Sequence, residues 1–214
     1  MRRVFVFING IFNRAGAHDG WTDRAVTWTA TRTPHKAEKW EYSAGALTRR
    51  FLQQSRAEKV ATMLGYYERA GFSIVLVGHS NGSDIIARVL RLRGDQPWFF
   101  AQPVRSVHLI SPAADEADFE DALIGGDCAL LFVYGSANDR ALRLGRVSRS
   151  LFGWAGLGYG ALGLATAPLA EFPNVFVHRN DAYGHSTWLE AGMPFEATMQ
   201  LLHSRDENPP DVLK

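Results

Sequence analysis

The sequence is poor in cysteine and contains only Cys128. One thiol cannot form an internal disulfide or a zinc site built from several cysteines. The chain therefore needs no oxidising compartment to fold. The apolar run that follows the two N-terminal arginines covers only residues 4–8, which is too short for the apolar core of a signal peptide. We expect a cytoplasmic protein.

The sequence also lacks an excess of charge of either sign. Its 23 Lys and Arg nearly balance its 22 Asp and Glu, so the total charge indicates no nucleic-acid or membrane partner. The spacing of a metal site is absent, and the G-x-G-x-x-G match at residues 158–163 follows no predicted strand. We therefore expect neither a metal nor a cofactor. The length of 214 residues favours one domain, residues 1–214.

Long uncharged runs are rare, and residues 151–170 form the one that is long enough to consider as a membrane span. Its length would fit a membrane span, but its many glycines and Pro168 disfavour a stable isolated helix. Upstream, arginines recur every three residues from Arg140 to Arg149 and would form one basic face of a helix. We predict that residues 140–171 flank a cleft, and a lid, a lipid-surface contact and a partner interface remain alternatives. Residues 206–214 are predicted to form a frayed tail.

Short apolar runs alternate with helical patterns along the chain. Because the apolar runs are continuous, they predict strands buried on both faces and connected by helices, which is typical of a parallel sheet. The fold class is therefore α/β, a single-domain three-layer sandwich with a mostly parallel sheet of about six strands. The predicted strands are 4–8, 25–29, 73–77, 104–110, 128–134 and 175–178; the predicted helices are 42–70, 84–92, 113–123 and 194–203.

A Gly-x-Ser-x-Gly motif follows the strand at 73–77 and precedes a helix. This context is the one that a nucleophile elbow requires. Gly78 and Gly82 leave room for a tight turn, and Ser80 would lie at its apex in a strained conformation. The helix that follows would direct free N–H groups to the site, with the N–H of Asn81 as an oxyanion donor.

A serine needs a base to become a nucleophile, and the base needs an orienting carboxylate. Asp139 and His185 each follow a later strand, so they would lie at the same sheet edge as Ser80, in the order acid then base. Asp115, which follows the preceding strand, is the alternative acid. Asp181 is disfavoured because it is so near the histidine in sequence.

The second oxyanion donor should come from the loop after the first strand. Ile11 is the first choice there and Phe12 the second. Aromatic side chains near these loops predict apolar walls for a substrate. The predicted substrate-binding residues are Phe12, Trp21, His79 and Trp188.

With the elbow at 78–82 and the loops that end in Asp139 and His185, the chain resembles the α/β-hydrolase fold superfamily from Val4 to about Met199. Asn9 and Gly10 stand where that family usually has His-Gly. We expect the family's first antiparallel strands to be missing, because only three residues precede Val4, and its usual cap insertion to be missing as well. The resemblance implies a minimal, capless member of the esterase or lipase type.

These observations predict a serine hydrolase that cleaves a small-molecule ester through Ser80, His185 and Asp139. An acyltransferase, a thioesterase or a peptidase with the same three residues is an alternative. A non-catalytic binding protein that retains the fold is another, because a fold does not fix a function. The oligomeric state does not follow from the sequence.

Overall fold

The computed structural model describes residues 2–10, 20–42, 49–152, 160, 162–164 and 168–210. Its six strands form one sheet in the order β2-β1-β3-β4-β5-β6, and every neighbouring pair is parallel. The prediction of an α/β fold with about six parallel strands is confirmed. The strands are β1 (Arg3–Ile8), β2 (Lys36–Trp40), β3 (Ser73–His79), β4 (Ser106–Ile110), β5 (Leu131–Gly135) and β6 (Val175–Arg179).

Helices connect the strands, as parallel pairing demands. Two short 3₁₀ turns, Pro168–Glu171 and Thr187–Leu189, lie near the last strand. The helices are α1 (Trp21–Arg32), α2 (Arg49–Arg69), α3 (Gly82–Asp95), α4 (Ala117–Ile124), α5 (Arg140–Phe152) and α6 (Met193–Glu207). After α2 the chain turns at Gly71, whose φ of +79° favours glycine.

The sheet is covered on both faces, which gives the three predicted layers. One core joins alternate strand residues to α2, α3 and α4. The opposite core joins the other set of strand residues to α1 and α6, with aromatic side chains from the strands and both helices. Because the side chains of a strand alternate between faces, the central strands β1 and β3 contribute to both cores.

The prediction of a strand at residues 25–29 is wrong, since these residues lie in α1. Their β-branched and aromatic side chains suit a strand locally, but Ala25, Trp28 and Thr29 are spaced to face the core from a helix. The second strand is instead β2. Strand β2 has no strong local signal because it is an edge strand of mostly charged residues, exposed or half-buried throughout.

The prediction of a frayed tail places its start, residue 206, too early in the chain. Helix α6 continues to Glu207, and Asp206 is fully buried. The Asp206 carboxylate lies 2.9 Å from the Arg3 guanidinium and 3.1 Å from that of Arg105, and it accepts a hydrogen bond from the Ser106 hydroxyl at 2.7 Å. These contacts fasten the end of α6 to β1 and β4.

The described part of the glycine-rich segment is packed against loops at the carboxyl edge of the sheet. The N–H of Leu162 donates to Ala114 O, and that of Gly163 donates to Pro112 O, at 3.2 and 3.1 Å. The carbonyl of Gly163 accepts from Ser136 N–H at 3.1 Å. Residues 162–164 are therefore hydrogen-bonded to the loops after β4 and β5. Whether residues 140–171 flank a cleft or form a lid stays a prediction, and residues 153–159, 161 and 165–167 of that segment lie outside the described residues.

Among the helices that the structure describes, none combines the length and the apolar character of a membrane span.

Candidate active site

The turn between β3 and α3 places Ser80 at its apex with φ of +53°, a conformation that side chains other than glycine rarely adopt. The turn needs both of its glycines. A Cβ on Gly78 would come within 2.6 Å of the Ile86 side chain, and one on Gly82 within 2.6 Å of Ile8 O. The elbow is thus wedged between α3 and the end of β1.

Hydrogen bonds hold this strained turn from below. The Ser83 hydroxyl donates to Ser80 O at 2.6 Å and accepts the N–H groups of Ala113 and Ala114, each at 3.1 Å. The N–H of Ser80 donates to Ile110 O at 3.0 Å. Directly after β4, Ser111 is a second non-glycine residue with positive φ, at +43°. The ends of β3 and β4 therefore support each other.

Three side chains from separate loops meet above the elbow. His185 Nε2 lies 2.9 Å from Ser80 Oγ, and its Nδ1 lies 2.7 Å from Asp139 Oδ2. The Asp139 carboxylate accepts from Nδ1–H, which leaves Nε2 free to accept the serine hydroxyl proton. Both distances are within the normal range for hydrogen bonds. The arrangement can move a proton from an alcohol to an imidazole that a carboxylate orients.

The Asp139 carboxyl is fully buried at the start of α5. Burial alone would raise its pKa, but hydrogen bonding and charge attraction from His185 outweigh it, together with a hydrogen bond from Leu142 N–H. The pKa of Asp139 is therefore held below its usual value. The Leu142 N–H donates to the other carboxylate oxygen, Oδ1, at 3.0 Å. At neutral pH the group is a carboxylate with both oxygens engaged.

The two acids considered as alternatives have other contacts. The Asp181 carboxylate accepts from Ala137 N–H at 2.8 Å, and the Asn138 side-chain amide donates to Asp181 O at 2.7 Å. Asp181 thus ties the loop that carries His185 to the loop that carries Asp139. The N–H of Asp115 donates to the Asp118 carboxylate in the turn before α4.

The N–H of Asn81 lies at the beginning of α3, beside Ser80, where an oxyanion donor would be needed. The side chain of Asn81 is fully buried, and its amide donates a hydrogen bond to the Tyr42 hydroxyl at 3.1 Å. Ile11 and Phe12, the predicted second donors, are outside the described residues. The preceding Gly10 passes so close to the elbow that a Cβ there would be 3.0 Å from Ser80 Cβ.

Two of the aromatic residues predicted to line the substrate site differ in position, since Trp21 lies beside the elbow and Trp188 lies in the core. Trp21 is buried and contacts the His79 ring edge-on, at 6.2 Å between ring centres. Trp188 lies deep in the α1 and α6 core, where its ring contacts are with Tyr134, His178 and Tyr183. Its contact with Tyr183 joins it to the loop that carries His185. Its predicted contact with substrate remains a prediction.

Sequence reasoning missed the polar contacts that fasten the site. Ser83 belongs to the elbow helix, and its spacing three residues after Ser80 was the available signal for its bond to the Ser80 carbonyl. The contact of Asn81 with Tyr42 joins residues far apart in the chain and left no local signal. Within the part of the chain that the structure describes, no three His, Cys, Asp or Glu side chains cluster as metal ligands would.

Acid should unfold the protein because three histidines are buried in the neutral form. Burial lowers the pKa of His79 and His108 to about 3 and that of His203 to about 4. Below about pH 6.5 the unfolded chain binds protons at these groups that the folded chain does not bind, so the free energy of unfolding falls as pH falls. Three protons correspond to a slope of up to about 4 kcal/mol per pH unit.

Urea titrations between about pH 7 and pH 5 measure this slope. Replacing His203 by leucine removes one of the three groups and should reduce the slope by about a third. A free energy of unfolding that stays constant over this range would contradict the prediction.

The sequence matches none of the protein-family models and none of the curated proteins. Solved structures do match. A putative hydrolase of the α/β superfamily from Xanthomonas campestris pv. campestris is 18% identical over 95% of this chain and 99% of its own, with a TM-score of 0.55. An esterase from Pyrobaculum calidifontis is 14% identical over 96% of this chain and 76% of its own, with a TM-score of 0.58.

A predicted hydrolase from Thermoplasma acidophilum is 12% identical over 96% of this chain and 87% of its own, with a TM-score of 0.56. These identities are low, so the likeness concerns the fold. The alignments with these three structures each cover 95% or 96% of this chain. The chain has the α/β-hydrolase fold.

Proposed function

We propose that the protein is a serine hydrolase that cleaves carboxylic esters. The observation that carries the proposal is the continuous hydrogen-bonded chain from Ser80 Oγ through His185 to Asp139, mounted on a strained elbow. A folded protein holds such strain where a function maintains it. The structural relatives described above include an esterase and two proteins described as hydrolases, which agrees with this chemistry.

In the first half-reaction, Ser80 Oγ attacks the acyl carbon of the ester while His185 Nε2 takes the hydroxyl proton. The tetrahedral intermediate then collapses, the bond to the alkoxy oxygen breaks, and His185 returns the proton to the departing alcohol. In the second half-reaction, a water molecule gives its proton to His185 and attacks the acyl-enzyme. The acid is released and Ser80 regains its proton. The Asp139 carboxylate holds the imidazole tautomer and stabilises its positive form.

The negative oxygen of each intermediate needs donors that are fixed before the reaction. The N–H of Asn81 is one, because the beginning of α3 directs it towards the elbow. The second belongs to the loop after Gly10, where we assign Ile11 and, as the alternative, Phe12. Each donor contributes roughly 3–4 kcal/mol to the lowering of the barrier.

The substrate is a small-molecule ester with a short or medium acyl group. The aromatic ring of Trp21 lies near the elbow through its contact with His79 and supplies an apolar wall.

A fluorophosphonate probe tests whether the serine is activated. We expect the probe to label the native protein at Ser80, as shown by mass spectrometry of the modified peptide, and to leave a His185→Gln variant unlabelled because the base is missing. The acid-unfolded protein is the control for non-specific reaction. Absence of label on the native protein would favour a binding protein that retains the fold.

A labelled protein is then assayed with p-nitrophenyl esters of increasing acyl length, and with thioesters and amides of the same acyl groups. An ester preference supports the proposal. A higher kcat/KM for thioesters or amides would assign the same three residues to a different acyl substrate.

A further inference from the structure

One residue of the elbow contacts the base directly. His79 precedes Ser80 and is buried, and its Nε2 lies 3.1 Å from the main-chain carbonyl oxygen of His185. The two imidazole rings are 5.0 Å apart between centres and tilted by 48°. Because a carbonyl oxygen only accepts, His79 must carry its proton on Nε2 and donate it to the base-bearing loop.

This loop leaves β6 at Arg179 and reaches a 3₁₀ turn at Thr187. It lies at the surface, with most of its residues exposed or half-buried. Its start is fastened to the loop after β5, since Asn180 N–H donates to Gly135 O at 3.0 Å and Asp181 accepts from Ala137. At its far end, the hydrogen bond from His79 fastens the backbone of the base itself.

We propose that His79 is a positioning residue that fixes the backbone of His185 to the elbow, so that base and nucleophile share one rigid support. This inference rests on the proposed function. His79 is covalently adjacent to Ser80, so a bond from its ring to His185 O closes a short path from Ser80 Oγ back to His185 Nε2. That path keeps the two atoms at 2.9 Å.

The charge state of His79 suits this role. Burial, assisted by the nearby His185, lowers the pKa of His79 to about 3, so its ring is neutral over the working range. The hydrogen bond to His185 O and the charge of Asp139 oppose this lowering of the pKa without overcoming it. During the reaction His185 becomes positive, and a neutral neighbour at 5.0 Å adds no repulsion to that state. A histidine here therefore donates a hydrogen bond without adding a competing charge.

Two variants separate the donated hydrogen bond from simple packing. Glutamine places its Nε2–H near the position of the histidine Nε2, whereas leucine fills the space without a donor. We expect His79→Leu to lower kcat for p-nitrophenyl acetate by about 10- to 100-fold with little change in KM, and His79→Gln to recover most of the loss.

His203→Leu is the matched control. His203 is also a buried neutral histidine, and its Nε2 is 3.1 Å from the Thr29 hydroxyl, but its ring packs on Phe5 and Trp28. Its loss should lower the melting temperature and leave kcat near the wild-type value. A kcat as low in His203→Leu as in His79→Leu would mean that general destabilisation explains both, and would overturn the proposal.

A second readout does not depend on turnover. The proton on His185 Nδ1, hydrogen-bonded to Asp139, gives a low-field NMR resonance that is assigned by its absence in His185→Gln. We expect this resonance to be lost or exchange-broadened in His79→Leu and kept in His79→Gln. The proposal is wrong if His79→Leu keeps both the resonance and the wild-type kcat. It is also wrong if His79→Gln recovers neither the resonance nor kcat. If the wild-type protein hydrolyses no ester, the proposed function fails and the resonance alone decides the positioning role.

Discussion

Replacing Ser80 by alanine should lower kcat for p-nitrophenyl acetate by about a million-fold, close to the loss seen when the nucleophile of a serine protease is removed. The reason is that, among the residues that the structure describes, Ser80 carries the one hydroxyl that is hydrogen-bonded to His185. Steady-state kinetics with a sensitive chromogenic ester measure the loss.

The fold should survive this change. Alanine keeps the Cβ that serine already holds at φ of +53°, so the backbone strain is the same, and only the hydroxyl is lost. The thermal midpoint of Ser80→Ala should therefore stay near that of the wild type, and the circular dichroism spectrum should be unchanged. A well-folded variant that retains a tenth or more of the activity would remove Ser80 from its role.

The second largest effect is expected for Asp139→Asn, which should lower kcat by about ten-thousand-fold. The structure explains why the asparagine amide cannot simply rotate. Leu142 N–H donates to Oδ1 at 3.0 Å and requires an oxygen there, so the NH₂ group must face His185 Nδ1. The imidazole then carries its proton on Nε2 and cannot accept the proton of Ser80.

Asp115→Asn is the matched control, because Asp115 follows the neighbouring strand and is the other acid that the sequence offers. Its kcat should stay near the wild-type value. Raising the pH should not restore the kcat of Asp139→Asn, since an amide does not titrate. Loss of activity in Asp115→Asn together with retention in Asp139→Asn would reverse the assignment of the acid.

The meeting of Ser80, Asp139 and His185 at one sheet edge was predictable because the strands before them carry strong local signals. β3 is a continuous apolar run followed at once by the elbow, and the loops that contain Asp139 and His185 each follow another such strand. In a parallel sheet the carboxyl ends of strands meet at one edge, so the order along the chain was enough to expect these side chains near Ser80.

The errors occurred where tertiary contacts outweigh local preference. Residues 25–29 have the composition of a strand but pack as a helix, because Trp21, Ala25 and Trp28 form the apolar stripe that covers the sheet. Asp206 looks like the start of a charged tail, yet it is buried by arginines that are distant in sequence. The bond from His79 to His185 O likewise joins residues 106 positions apart, and no spacing rule indicates it.

Two serines at neighbouring strand ends, Ser80 and Ser111, both have left-handed backbone conformations. Such conformations cost about 1–3 kcal/mol each, whereas a domain of this kind is stable by only about 5–15 kcal/mol. The site therefore reduces the margin within which the chain tolerates further mutations. Directed evolution towards new esters should begin from a parent stabilised elsewhere, because a variant with remodelled pocket walls would otherwise lose its fold before it gained a new specificity.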